Sequence, residues 1–223
     1  MKRLALLMLC GACLSRPAAA TAARDTLLWT SASIRYKPHK KLKLELSQHL
    51  RLDQNLSQVE RTMPELELTY RPAGWLDLGI GYRYIFERTK NGDLEPAHRY
   101  HGQLGLEHEL GPVEISYRLR YQEKHEEDEF DWTARIRNKL SAQLDTDTAF
   151  TPLISAEHFL DTVERPTETT RYRLGIGTKI KLSKPHRLTV RYLYQADQRE
   201  PLSEHILSLK YQYRIPRRTG ASR

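Results

Sequence analysis

The chain has 223 residues, 39% of them hydrophobic and 29% charged, with a formal net charge of +8 and two cysteines. That length allows one domain or at most two, and the apolar content is low for a large core packed on both faces of a sheet. The basic residues alternate with apolar ones instead of clustering with aromatics, which argues against a nucleic-acid partner, and no window beyond the first twenty residues holds 18 apolar residues, which excludes a helical membrane span.

Met1 to Ala20 reads as a secretory signal: Lys2 and Arg3 form the positive end, Leu4 to Leu14 the apolar stretch, and Ala18-Ala19-Ala20 or Ala20-Thr21-Ala22 the small-residue cleavage site. An uncleaved anchor and a lipoprotein processing site at Cys13 are the alternatives. Both cysteines, Cys10 and Cys13, fall inside the signal, so the barrel expected over 21–216 has no disulfide available. Losing Lys2, Arg3 and Arg16 leaves 33 basic against 28 acidic residues, a mild excess. A short basic tail, 217–223, closes the chain.

Between these ends the period is two. Leu28, Thr30, Ala32, Ile34 and Tyr36 alternate with Trp29, Ser31, Ser33 and Arg35. Leu42, Leu44, Leu46, Leu50 and Leu52 oppose Lys43, Glu45, Ser47, His49, Arg51 and Asp53. Leu66, Leu68 and Tyr70 oppose Glu65, Glu67 and Arg71, and the turn Pro72-Ala73-Gly74 follows. The run from Leu76 to Glu87 is the cleanest, with Leu76, Leu78, Ile80, Tyr82, Tyr84 and Phe86 on one face and Ile85 the single intruder on the other. Its twelve residues exceed the roughly 9–11 that a tilted strand needs to cross a bilayer.

Beyond a loop at 88–97 the pattern resumes in six further runs. These are 99–110, 113–124, 130–142, 150–160 with the weakest alternation, 171–181 and 187–195, and a last run through Leu207, Leu209, Tyr211 and Tyr213 ends before Pro216. Connections alternate short and long, which is the signature of a meander and not of crossovers. The expected fold is therefore an all-β, antiparallel up-and-down transmembrane β-barrel of about 10–12 strands. Eleven runs pose a parity problem, since bacterial barrels usually have an even number with both ends on one side. Either Leu28 to Tyr36 is not a full wall strand or one division has been overlooked.

The aromatics choose between a soluble and a membrane barrel. Tyr36, Tyr70, Trp75, Tyr211 and Tyr213 lie next to short connections, and Tyr84, Phe86, Tyr100, Tyr121, Trp132, Tyr172 and Tyr194 next to long ones, with aliphatics between. Two aromatic belts bounding an aliphatic band suit the two headgroup regions of a bilayer. With the signal, this predicts insertion in a bacterial outer membrane, among lipid and lipopolysaccharide, by the barrel assembly machinery. Tyr211-Gln212-Tyr213 stands as the aromatic end of its recognition signal. A secreted soluble β-barrel that binds a ligand is the alternative.

The opposite face becomes the lumen, carrying Arg83, Arg99, Arg118, Arg120, Arg135, Arg173 and Arg191 with Glu107 and Glu157 among them. Such a set predicts ion pairs that brace the wall, or a constricted pore for anions and small solutes. No cofactor and no metal site is expected. Ser47 and His49 share a face without a third residue to orient the imidazole, and His108 points away from Glu107 and Glu109. An outer-membrane protease or lipid-modifying hydrolase would place its site at the outer rim, where Asp53, Glu87 and Asp131 are the candidate carboxylates.

Several segments also carry a resemblance: Trp29, Ser47-Gln48-His49-Leu50-Arg51-Leu52, Gly81-Tyr82-Arg83-Tyr84, His98-Arg99-Tyr100-His101, Ser116-Tyr117-Arg118-Leu119-Arg120-Tyr121-Gln122, Arg135-Ile136-Arg137, Pro152 with Ser155-Ala156-Glu157-His158-Phe159, and Tyr172-Arg173-Leu174-Gly175. In this order they resemble the outer-membrane barrel family known as domain of unknown function 2490. The resemblance implies an integral outer-membrane β-barrel and brings no catalytic residues with it.

Overall fold

Alternating side chains leave each run one greasy and one polar face, and a sheet of such strands hides its edges by closing on itself. The computed structural model describes residues 26–89, 91–127, 132–162, 169–198 and 203–216. It contains eleven strands: β1 (Thr26–His39), β2 (Leu42–Asp53), β3 (Gln58–Ala73), β4 (Leu76–Arg88), β5 (Leu94–Leu110), β6 (Val113–Glu126), β7 (Trp132–Leu144), β8 (Phe150–Asp161), β9 (Thr169–Lys181), β10 (His186–Asp197) and β11 (Ser203–Arg214). They form one closed barrel in sequence order. Neighbours in sequence pair antiparallel throughout, from β1 with β2 to β10 with β11.

Parity is resolved by the closing seam. β1 is a full wall strand and pairs parallel to β11, in register from Thr26 opposite His205 to Arg35 opposite Arg214. Neither expected remedy, ten strands or an overlooked division, is needed. An odd number of meandering strands sends the first and last the same way, and a parallel ladder satisfies their edge groups as a final antiparallel one would.

The connections differ less in length than the sequence suggests. At one end the gaps are the two-residue turns 40–41, 74–75 and 111–112 with 145–149 and 182–185; at the other they are 54–57, 89–93, 127–131, 162–168 and 198–202. β3 starts at Gln58 and β5 at Leu94, so ladder hydrogen bonds continue into stretches the polarity of the sequence assigns to loops. The expected signal at 1–20 and the tail at 217–223 lie outside the described residues.

The aliphatic face points outward, with Leu46 at 54%, Ile80 at 65% and Ile176 at 60% exposure. The polar face points inward, where Glu45, Glu65, Arg120, Gln122, Glu157 and Gln212 are buried. Ile85 is the exception the alternation flagged: it turns into the lumen and is fully buried with Met63 and Ala97, the residues forming a small apolar knot. The register of β8, weakly marked in sequence, sets Ser155 and Glu157 inward and Ile154 outward at 57% exposure.

Candidate functional site

The lumen is built from inward residues two apart on each strand, so strand register decides which charges meet. At the mouth near the short turns, Glu45 accepts from Arg35 at 2.7 Å and Lys210 at 2.9 Å. Beside it Arg71 holds Asp77 at 2.6 Å and Glu107 at 2.9 Å. At the other mouth Arg61 and Lys124 share Glu87 at 2.8 and 3.0 Å, Arg135 meets Asp161 at 2.5 Å, and Arg171 meets Asp197 at 3.0 Å.

Two carboxylate hubs occupy the middle. Glu65 of β3 is clamped by Arg83 of β4, and His49 Nε2 of β2 lies 3.0 Å from it. Arg120 of β6 reaches back to Glu67 at 3.1 Å and Glu65 at 3.8 Å, steadied by Gln103. The His101 ring sits between these carboxylates, 3.5 Å from Glu67 and 3.8 Å from Glu65, with only 1% of its side chain exposed. It can do so because Gly81 faces it across the β4–β5 ladder, where any Cβ would overlap the ring.

The second hub is Glu157 of β8. Arg137 of β7 approaches it at 2.7 Å, Arg118 of β6 at 2.9 Å and Arg173 of β9 at 3.2 Å. Arg173 also donates to Gln195. Phe159 underlies both Arg137 and Arg173 at 4.9 Å, and Trp29 of β1 lies 3.9 Å from Arg51 and 4.7 Å from Arg173. The rings give Arg137 and Arg173 a second partner besides Glu157, and give Arg51, which has no carboxylate within ion-pair distance among the described residues, a cation–ring contact instead.

Of the nine lumenal residues expected from sequence, seven meet an opposite charge and two do not. Among the described residues Arg99 and Arg191 have no carboxylate within ion-pair distance, and the Nε of each is buried without a hydrogen-bond partner. Arg99 lies in register between Arg83 and Lys124, which explains its isolation. His101, Arg137 and Trp29 lie on the inward parity that the alternation assigns to the polar face, and Phe159 joins them there; what the pattern did not give is their partners in the hubs.

Between the hubs is a cavity of about 460 Å³. Eleven Lys and Arg residues line it against six Asp and Glu, with His49 in addition. Glu65, Glu67 and His101 bring ligand-type atoms within 4.8 Å of one another. Both carboxylates there already face Arg83 or Arg120, so the charge at that point is balanced without a cation. Ser47 and His49 form no hydrogen bond with each other among the described residues, and Glu65 supplies the acid beside the imidazole that sequence could not assign. Of the rim carboxylates, Glu87 is ion-paired, Asp53 has a partner, and Asp131 lies outside the described residues.

Outside, the expected belt residues fall at the two ends of the aliphatic band. Tyr36, Tyr70, Trp75 and Tyr211 are exposed at the short-turn end, where His186 stacks on Tyr211 and leans on Tyr213. Tyr100, Tyr121 and Trp132 are exposed at the other end. There His98 contacts Tyr84, which packs on Phe86, while His125 bridges Tyr100 and Trp132. Tyr172 meets Tyr194, and Tyr194 meets His205. The histidines in these belts were not foreseen.

Residues 26–204 match the family described as "Protein of unknown function (DUF2490)". No curated protein matches the chain. Among solved structures, the outer-membrane expressed OmpT of Vibrio cholerae is 10% identical with a TM-score of 0.42, the match covering 70% of this chain and 54% of that one. An in-vitro folded trimer form of the same protein gives 10% and 0.41, over 75% and 60%. The β domain of the Bordetella autotransporter BrkA is 15% identical with a TM-score of 0.46, over 79% and 85%. The chain thus spans little more than half the length of the two OmpT chains.

Proposed function

The chain belongs to the DUF2490 family of proteins of unknown function, and from that premise and the two faces of its barrel we propose an integral outer-membrane protein whose narrow lumen attracts and passes small anions. The outward face supports the membrane part: an aliphatic band ending in Tyr, Trp and His on both sides matches hydrocarbon bounded by headgroups. Lipid and lipopolysaccharide are its surroundings in this reading, and the barrel assembly machinery its route of insertion through the Tyr211 and Tyr213 strand.

With short turns toward the periplasm, the 89–93 connection faces the exterior. The cysteines fall within the proposed signal, so single-cysteine labelling is clean. Asn91→Cys should react with an impermeant maleimide on intact cells, and Lys40→Cys only once the outer membrane is permeabilised. The reverse pattern overturns the orientation.

The observation that carries the anion reading is the cavity lining, eleven cationic side chains against six anionic ones. In a confined, poorly hydrated lumen an unmatched cation lowers the energy of an entering anion and raises that of a cation. Ion pairs still brace the wall, but they use up the acids first and leave the surplus for solutes. Purified protein in planar bilayers should give a small current whose reversal potential in a salt gradient follows the anion. A silent or cation-selective barrel overturns the reading.

A further inference from the structure

The surplus charge is not spread evenly, and a row of hydroxyls runs beside its densest part. Ser116, Ser141 and Ser155 stand opposite one another on β6, β7 and β8, each lining the cavity. None of the three hydroxyls has a hydrogen-bond partner in the protein among the described residues. Two positions further along the same strands are Arg118, Lys139 and Glu157, again directly in register. Lys139 has no carboxylate within ion-pair distance and no hydrogen-bond acceptor among the described residues. Its strongest electrostatic neighbours are Arg118, Glu157, Arg191 and Arg137, three cations and one anion.

Arg191 comes in from β10. Its partner on β9 is Gly177, where a Cβ would run into the Val190 carbonyl oxygen and the Arg191 side chain, so the glycine lets the β10 backbone and Arg191 come close at this point. The Nε atoms of Arg191 and Arg118 are buried without a hydrogen-bond partner, and about a third of the Arg118 side chain faces the cavity. Glu157 is already shared among Arg118, Arg137 and Arg173, so it cannot also neutralise Lys139 and Arg191. Unpaired cations and unused donors on one wall leave a free-energy deficit that an anion would fill.

Resting on the anion-attracting reading above, we propose that Arg118, Lys139 and Arg191 with Ser116, Ser141 and Ser155 form a binding site for a phosphate group, free or carried on a small solute. A halide has one centre to offer, whereas a phosphate presents several oxygens at once to guanidinium forks, an ammonium and hydroxyls. Adjacent strands lie about 4.8 Å apart, so neighbouring hydroxyls can reach oxygens of one such group.

Isothermal titration of the detergent-solubilised barrel with inorganic phosphate, at constant ionic strength in chloride, tests the site without any current being measured. Saturable phosphate binding is expected, weakened roughly tenfold or more in Arg191→Gln and in Lys139→Gln and by less in Ser141→Ala. Heat-modified gel mobility verifies that each variant is folded. Glycerol 3-phosphate in place of phosphate separates the two sources: tighter binding than phosphate assigns the site to a phosphorylated solute, equal or weaker binding to the free ion. No saturation by either compound, or full affinity in both cation variants, overturns the site. Phosphate binding with a silent bilayer keeps the site and removes the pore; an anion-selective current with no phosphate binding does the opposite.

Discussion

Glu65 and Glu157 are both buried glutamates met by arginines from neighbouring strands, yet their surroundings have different charge balances. Around Glu65 a second carboxylate, Glu67, accompanies Arg83 and Arg120, and the imidazoles of His49 and His101 fill the remaining space. Around Glu157 a single carboxylate serves Arg118, Arg137 and Arg173, with Lys139 and Arg191 beyond it. A balanced hub ties β2 to β6 and has little left to offer a solute. An unbalanced one also ties its strands, but it stays electrostatically incomplete until something enters the lumen. In the proposed reading the same residue types brace one wall and prepare the other for a ligand, and the ratio of acids to bases separates the two roles.

The largest way to break the comparison is at the balanced hub. Glu65→Gln leaves Arg83 without its partner and His49 without its acid, and losing one member of a buried pair costs about 3–5 kcal/mol. Urea unfolding in micelles should register that loss, and added phosphate should not restore it. Glu157→Gln should cost about as much or somewhat less at low salt by the same principle, but most of the loss should return on adding phosphate, because an anion in the cavity replaces the missing carboxylate. Equal responses of the two variants to phosphate would mean that the hubs do not differ in kind.

Period-two patterning was sufficient to place ten of the strand pairings, the inward set and the outward band, because parity alone decides which face a side chain takes. It could not specify the seam. Nothing in Thr26 to Arg35 or His205 to Arg214 distinguishes a parallel ladder from an antiparallel one, since that depends on strand count and closure and not on either segment. Nor could it foresee the hubs. Arg120 meets Glu67 across 53 positions in the chain, over the intervening strands β5 and β4, where Gly79 and Gly81 leave room on β4 and Gln103 of β5 steadies the guanidinium. For the same reason Arg99 and Arg191 look like any other lumenal arginine in sequence. Their lack of carboxylate partners among the described residues comes from neighbours on other strands.

Glycines sharpen the comparison at a smaller scale. Gly81 makes room for the His101 ring in the balanced hub. Gly81→Ala has to push the imidazole away from Glu65 and Glu67, an overpacking cost of about 1–3 kcal/mol. The change should lower the unfolding midpoint and leave phosphate affinity at its wild-type value. A variant that kept its stability would show that His101 is free to leave the hub.

The smallest effect is expected at Trp29, which touches the unbalanced hub through Arg173 and reaches β2 through Arg51. Its ring carries Arg51 at 3.9 Å and Arg173 at 4.7 Å, and Arg173 in turn reaches Glu157. Trp29→Leu keeps an apolar side chain and removes the ring quadrupole, so about 1 kcal/mol of cation–ring attraction is lost. Arg173 retains Glu157, Gln195 and the face of Phe159, and stays where it is. Phosphate affinity should therefore change less than twofold while stability falls slightly. A loss of affinity as large as that of Arg191→Gln would mean that Trp29 sets the position of the whole cationic wall, and the two hubs would then be one coupled network across the β1–β11 seam.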